Sequence, residues 1–226
     1  MILTFCKKAT PILDLQRIAL FAMALLSILF NGCAQTTQKP AVIGQDWAKH
    51  EAQVRGKDNW QALGKLGIKV PNDGGSANLR WNQQHDSYQI DLKGPFGQGN
   101  LSITGAPSKV TLIEAGEPPQ HAKTAEELIV KTTGWNIPVA QLAYWVRGLP
   151  APNLKINRFT PNAEGFISEL EQAEWKVTYG DYLSVTSNNE VIAMPGRITA
   201  EYKDVKLTLV IREWSFNPSS DAEAQP

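Results

Sequence analysis

An excess of charge of either sign is missing from this 226-residue chain: 22 basic side chains balance 22 acidic ones and the pI is near 6.8. Non-specific nucleic-acid binding needs a basic footprint, so that class is excluded. Cysteine is scarce too, and two residues can neither build a structural zinc site alone nor staple a disulfide-rich scaffold. The three histidines, His50, His85 and His121, have no partner motif; His50-Glu51 lacks the second histidine four places on that a zinc helix requires. No G-x-S-x-G elbow, phosphate-binding glycine loop or dinucleotide fingerprint occurs. Adjacent carboxylates stand at Glu126-Glu127, where they suit a helix cap, and at Glu169 and Glu171, where they alternate outward along a strand. No catalytic group, metal or cofactor is expected. What is present in quantity is apolar and aromatic: 42% hydrophobic residues with seven tryptophans, the composition of a folded domain and not of a disordered or polytopic membrane chain.

The apolar residues are unevenly spread. Lys7, Lys8 and Arg17 precede a run from Ile18 to Phe30 broken only by Ser27. As a helix those 13 residues span about 20 Å, short of the roughly 30 Å hydrocarbon core of a bilayer. A basic flank, a short apolar core and then small or polar residues read as a secretory signal, so residues 1–32 are expected to be cleaved. The sequence Ile28-Leu29-Phe30-Asn31-Gly32-Cys33 resembles the lipobox of bacterial lipoproteins, with Gly32 and Cys33 matching and Phe30 and Asn31 departing from it. That resemblance implies that Cys33 becomes the first mature residue and carries the lipid. Ala34 in the next place points to the outer membrane. Two or more acyl chains anchor stably where one does not. With Cys6 cleaved away and Cys33 lipidated, no free thiol remains for redox or nucleophilic chemistry.

Residues 33–44 form the lipidated N-terminus and a tether without apolar period. Residues 45–216 are expected to make one domain, followed by a flexible tail over 217–226. A short helix over Asp46–Val54 sets Trp47 and Val54 on one side. Beyond it, period-two alternation dominates: Leu79 and Trp81; Tyr88, Ile90 and Leu92; Leu101 and Ile103; Val110 and Leu112; then Ile198–Tyr202 and Lys206–Leu209. Turn signals such as Asn72-Asp73-Gly74-Gly75 separate these segments, which indicates antiparallel strands with one apolar face. Two helices interrupt them. Thr124-Ala125-Glu126-Glu127 is a capping box in which Glu127 reaches back to the Thr124 amide, and Gly134 is the stop. Pro138 opens the second helix at a first-turn position, Leu142, Trp145 and Val146 form its apolar stripe, and Gly148 closes it.

Nine to eleven one-sided strands need a cover that two or three short helices cannot supply unless the sheet curls on itself. A curled sheet under a helical lid encloses either a packed core or a cavity, and alternation alone does not separate these. One loop stands out. Gly94-Pro95-Phe96-Gly97-Gln98-Gly99 places a lone Phe among glycines at a hairpin tip, either tucked under the sheet or held outward.

The segment Thr133-Gly134-Trp135-Asn136-Ile137-Pro138-Val139-Ala140-Gln141-Leu142-Ala143-Tyr144-Trp145-Val146-Arg147-Gly148-Leu149-Pro150 resembles the second helix of the LolB family of outer-membrane lipoprotein receptors. The order of elements matches as well, from Cys33 through Pro95-Phe96-Gly97 to Met194-Pro195 and Trp214. The resemblance implies a mainly antiparallel fold: an incomplete, open β-barrel with a helical lid over a hydrophobic cavity. It implies a monomeric receptor on the periplasmic side of the outer membrane, without nucleic-acid partners. Such a receptor takes lipoproteins from a soluble, LolA-like periplasmic carrier by their acyl chains and inserts them among outer-membrane lipids. Phe96 falls where the family's protruding loop carries an apolar residue, so Pro95, Phe96 and Gly97 are the expected membrane-insertion loop. Trp81, Ile90, Leu92, Leu101, Ile103, Leu142 and Trp145 are the inward apolar residues expected to line the acyl-chain cavity. The competing reading is a structural or interaction lipoprotein whose β domain is packed solid.

Overall fold

The computed structural model describes residues 47–95 and 99–218. Helix α1 (Trp47–Arg55) leads into strands β1 (Asn59–Val70), β2 (Asp73–Gln84), β3 (Ser87–Lys93), β4 (Leu101–Ala106), β5 (Lys109–Glu114) and β6 (Gln120–Ala122). Helices α2 (Ala125–Thr133) and α3 (Val139–Trp145) follow, then β7 (Ile156–Pro161), β8 (Ile167–Gln172), β9 (Trp175–Gly180), β10 (Leu183–Ser187), β11 (Glu190–Met194), β12 (Arg197–Tyr202) and β13 (Val205–Phe216). Eleven strands share one sheet in the order β6-β5-β4-β3-β2-β1-β13-β12-β9-β8-β7, and β10 with β11 forms a separate hairpin. Every pairing is antiparallel. The outermost strands, β6 and β7, do not pair with each other, so the sheet is not closed into a barrel. Thirteen strands thus stand where alternation suggested nine to eleven.

The architecture follows from the chain's three long strands, β1, β2 and β13, of twelve residues each. β1 pairs with β2 along twelve residues, from Asn59–Gln84 to Val70–Asp73, and with β13 along most of its other edge. One β-bulge between Leu63 and Gly64 interrupts the second ladder, and bulges increase the local twist that bends a sheet round. The apolar positions of nearly every strand turn to one side. There they join a single buried cluster with α1, α2 and α3.

The helices form for local reasons that the sequence carries. The Thr124 hydroxyl accepts from the Glu127 amide at 3.2 Å, and Gly134, in the left-handed region at φ 77°, ends α2 with its N–H on the Val130 carbonyl. Two details differ from expectation. The Glu127 carboxylate takes the amide of Lys123 (3.1 Å), one residue before the cap, instead of the Thr124 amide. Pro138 is the N-cap of α3 and not a first-turn residue; with no side-chain acceptor of its own, that helix start is capped by Glu126, whose Oε1 accepts from the Ala140 amide at 2.8 Å. Gly148 follows α3 at φ 75°, and the chain leaves through Leu149-Pro150.

Candidate functional site

Strand register places the inward side chains in rungs across the curled sheet. The middle rung runs Trp214–Ala62–Trp81–Ile90–Ile103–Leu112 across β13, β1, β2, β3, β4 and β5. Five of these are strongly apolar and buried, and the small Ala62 lets Trp60 sit between Trp81 and Trp214, with ring centroids 5.4 and 5.5 Å away. A second rung, Leu79–Leu92–Leu101, lies toward the β3–β4 connection. A third, Trp60–Gln83–Tyr88–Gly105–Val110, lies toward the opposite end. The Tyr88 ring covers Gly105, where a Cβ would run into it.

Of the expected cavity residues, Trp81, Ile90, Ile103, Leu142 and Trp145 are buried, while Leu92 and Leu101 are half-buried against the same cluster. Leu142 and Trp145 descend from α3 onto the sheet. Cys33, Phe96 and Gly97 lie outside the described residues, as do the leader and the tether; Pro95 is exposed just past the end of β3.

Between α3 and the third rung a groove of about 520 Å³ opens to solvent, a size typical of small-ligand sites. Trp60 and Trp81 line its inner side, with Val139, Ala140, Ala143 and Tyr144 from the lid helix opposite Gln83, His85, Asp86 and Tyr88. A larger depression of about 800 Å³ lies on the outward face of β1–β4, walled by polar groups such as Arg80, Asn82, Gln89 and Lys93. The groove reaches the apolar interior through Trp60 and Trp81, and the depression meets it at Leu79.

Two residues beyond the end of α3, Arg147 also lines the groove, only 7% exposed. Its Nε–H donates to the Ala143 carbonyl (3.1 Å) and its Nη1 to the Lys57 carbonyl (3.2 Å). The guanidinium stands over the rings of Trp60 and Tyr144, 5.7 and 5.4 Å from their centroids. Among the described residues it has no carboxylate at ion-pair distance. Burial lowers its pKa from the ordinary arginine value. Arg55 at the groove edge is matched by Glu51 (2.8 Å) and reaches the Pro150 carbonyl. Burial and then the charge of Glu126 push the Tyr88 phenol up to about 12.

On the other side of the lid, Trp145 is fixed. Its indole N–H donates to Oε1 of Gln172 (3.0 Å), which also accepts from the Ala151 amide (2.8 Å). The Gln172 amide donates to the carbonyls of Ala151 and Leu154. Three residues important here escaped the alternation pattern. Gln172 and Arg147 are polar in inward positions, and His50, fully buried between Trp47 and Phe166, is polar on the α1 face shared with Val54. For Gln172 and His50 the position was a signal, since each falls on the buried phase of its element, whereas Arg147 lies in the turn beyond α3. His85 lies in the β2–β3 turn, and His121 Nδ1 is 3.0 Å from the Thr111 hydroxyl. Among the described residues there is no cluster of three or more metal-ligating side chains and no helix long and apolar enough to cross a membrane.

An open antiparallel half-barrel, roofed by short helices and bearing an aromatic groove beside the lid, defines the class of this protein. A family profile described as outer membrane lipoprotein LolB matches residues 58–214. The outer-membrane lipoprotein LolB of Cellvibrio japonicus is 49% identical over 198 residues, covering 86% of this chain and 97% of that one. LolB of Pseudomonas fluorescens is 40% identical over 190 residues, covering 82% and 90%. The chain belongs to the LolB family of outer-membrane lipoproteins. Among solved structures, a LolA superfamily protein from Nitrosomonas europaea has a TM-score of 0.48 at 8% identity, covering 80% of this chain and 96% of that one.

Proposed function

We infer that the protein is an outer-membrane receptor that accepts lipoproteins from a soluble periplasmic carrier, holds their acyl chains on the inner face of the half-barrel, and inserts them into the outer membrane. The observation that carries this reading is the continuous apolar rung from Trp214 to Leu112, buried beneath a groove floored by Trp60 and Trp81. A spacer domain needs no such groove. Transfer is binding chemistry without a covalent step. An acyl chain passing between two protein interiors stays out of water throughout, so direction follows from relative affinity, each factor of ten needing about 1.4 kcal/mol.

In this reading residues 1–32 are the cleaved leader, Cys33 carries the lipid that fixes the protein in the outer membrane facing the periplasm, and residues 45–216 are the binding domain of a monomer. The carrier is LolA-like. Trp81, Ile90, Leu92, Leu101, Ile103, Leu142 and Trp145 touch the acyl chains. Pro95, the described member of the Pro95-Phe96-Gly97 segment, lies just past the end of β3 that is away from the groove. The seven residues of that strand separate the two by about 20 Å. Loading and delivery therefore use opposite ends of one strand. A Phe side chain entering the bilayer gains roughly 1.5–3 kcal/mol, enough for transient contact and not for anchorage.

The test uses two variants with a carrier loaded with labelled lipoprotein. A Cys33→Ala form, freed from the membrane, takes cargo from the carrier; failure to take it overturns the receptor reading. Phe96→Glu in the anchored protein takes cargo at the normal rate but delivers it to outer-membrane vesicles at least tenfold more slowly. Unchanged delivery removes the loop from the mechanism.

A further inference from the structure

A guanidinium carries five N–H donors. Arg147 uses two of them on the Ala143 and Lys57 carbonyls, and the other three meet no acceptor among the described residues. Burying most of a cation without a carboxylate is costly, two ring faces and two backbone carbonyls offset part of that cost, and the rest falls to the solvent of the open groove. The remaining donors lie in the lining of the groove beside Trp60 and Trp81, where the interior begins. A ligand lying there meets an apolar floor and a cluster of unused donors together.

Charge decides which acceptor fits. Asp58 and Asp86 line the same groove, and Asp58 acts electrostatically on Arg147 without pairing with it. Arg55, the other cation in the lining, is already matched by Glu51. A phosphate placed on Arg147 would bring further negative charge beside two carboxylates that line the same groove, a repulsion that solvent at these exposed side chains moderates but does not remove. A neutral carbonyl oxygen takes the same donors without this penalty.

We propose that Arg147, with Trp60 and Trp81, is a subsite for the neutral ester and amide carbonyls through which fatty acyl chains are joined to an acylated N-terminal cysteine, and that Asp58 and Asp86 exclude phosphate from it. The assignment rests on the receptor reading and adds a basis for choice: the same acyl chains enter on a lipoprotein and are refused on an anionic phospholipid. From carbonyls held at Arg147 the chains run past Trp81 toward Ile90 and Ile103, along the middle rung.

The experiment measures displacement of a fluorescent alkyl probe that lacks any carbonyl from the full chain carrying Cys33→Ala. The competitors are a synthetic triacylated cysteinyl peptide and phosphatidylglycerol with the same acyl chains. Arg147→Met lowers the affinity for the lipopeptide about tenfold relative to that for the alkyl probe. Asp58→Asn combined with Asp86→Asn raises the affinity for phosphatidylglycerol about tenfold relative to the lipopeptide. If Arg147→Met weakens lipopeptide and probe equally, or neither, the arginine is structural and the subsite is wrong. An unchanged phospholipid ratio in the double variant overturns the exclusion. Failure of the unmodified groove to bind either the alkyl probe or the lipopeptide overturns the receptor reading itself, an outcome distinct from these.

Discussion

Trp145 and Arg147 are two residues apart, yet the two sides of the lid they reach are built in opposite ways. On the Trp145 side the buried groups are matched through one residue: a glutamine, itself fully buried, accepts from the indole and the Ala151 amide and donates to two carbonyls. On the Arg147 side a buried cation keeps donors in reserve above an open groove. A satisfied buried network fixes one arrangement, while an unsatisfied one costs stability and is retained where a ligand completes it. The lid is therefore fastened along one edge and available along the other. That asymmetry suits a receptor that must admit a chain without unfolding.

The largest test of the comparison is Gln172→Leu. It leaves the Trp145 indole N–H and the Ala151 amide and carbonyl buried without partners. At about 1–3 kcal/mol for each orphaned group, partly relieved by relaxation, the expected loss is about 4 kcal/mol. Arg147→Met, whose lost partners border the solvent-filled groove, costs only about 1–2 kcal/mol by the same reckoning. Urea titrations at constant slope measure both. Equal losses would break the contrast between the fastened and the open edge.

His50 supplies the next effect and sharpens the picture on α1. Its ring is fully buried against Phe166 and Trp47, neither nitrogen has a partner, and burial lowers its pKa from 6.5 to about 4. The folded chain therefore holds the neutral form while the unfolded chain binds a proton readily. Stability from this site is fully present above pH 6.5 and is lost as the pH falls toward 4. The loss amounts to about 2–3 kcal/mol. Carboxylates contribute to acid unfolding as well, so the readout is the difference between the protein and His50→Leu. The variant is expected to keep its stability at neutral pH and to lose less between pH 7 and 4. Parallel stability curves for the two would show that His50 is not the acid-sensitive group.

The fold was legible because it rests on alternation and capping, which are local. Trp81, Ile90 and Ile103 reveal one sheet face, and Thr124 with Gly134 mark a helix without any knowledge of its neighbours. The open edge was legible only through family resemblance: nothing local in Gln120–Ala122 or Ile156–Pro161 says that these strands fail to pair. Gln172, His50 and Arg147 are not picked out by a pattern of apolar positions. A pattern of apolar positions treats a polar residue as outward, whereas these three are inward and are tolerated for reasons set by residues far away in sequence. Arg147 meets Lys57, 90 positions earlier, and Gln172 meets Trp145, 27 positions earlier. The same blindness hid the substitute cap on α3, because Glu126 lies 14 positions before the amide it serves.

That cap gives the smallest expected effect and the finest test of where the lid is held. The bond from the Ala140 amide to Glu126 is near the surface, where water replaces a lost acceptor. Glu126→Ala is expected to cost about 1 kcal/mol, in the range of a lost N-cap. In a domain of this size that is a fall in Tm of about 2–4 °C. The variant also removes the carboxylate whose charge adds to burial in holding the Tyr88 phenol up, so the Tyr88 pKa falls below about 12, which an absorbance titration follows. Faster amide exchange confined to the start of α3, with Trp145 and its glutamine still protected, would place the weakness at the N-terminal end of the lid. Exchange that spreads through Trp145 to Gln172 would mean that the lid opens as one piece and that its two edges are not independent after all.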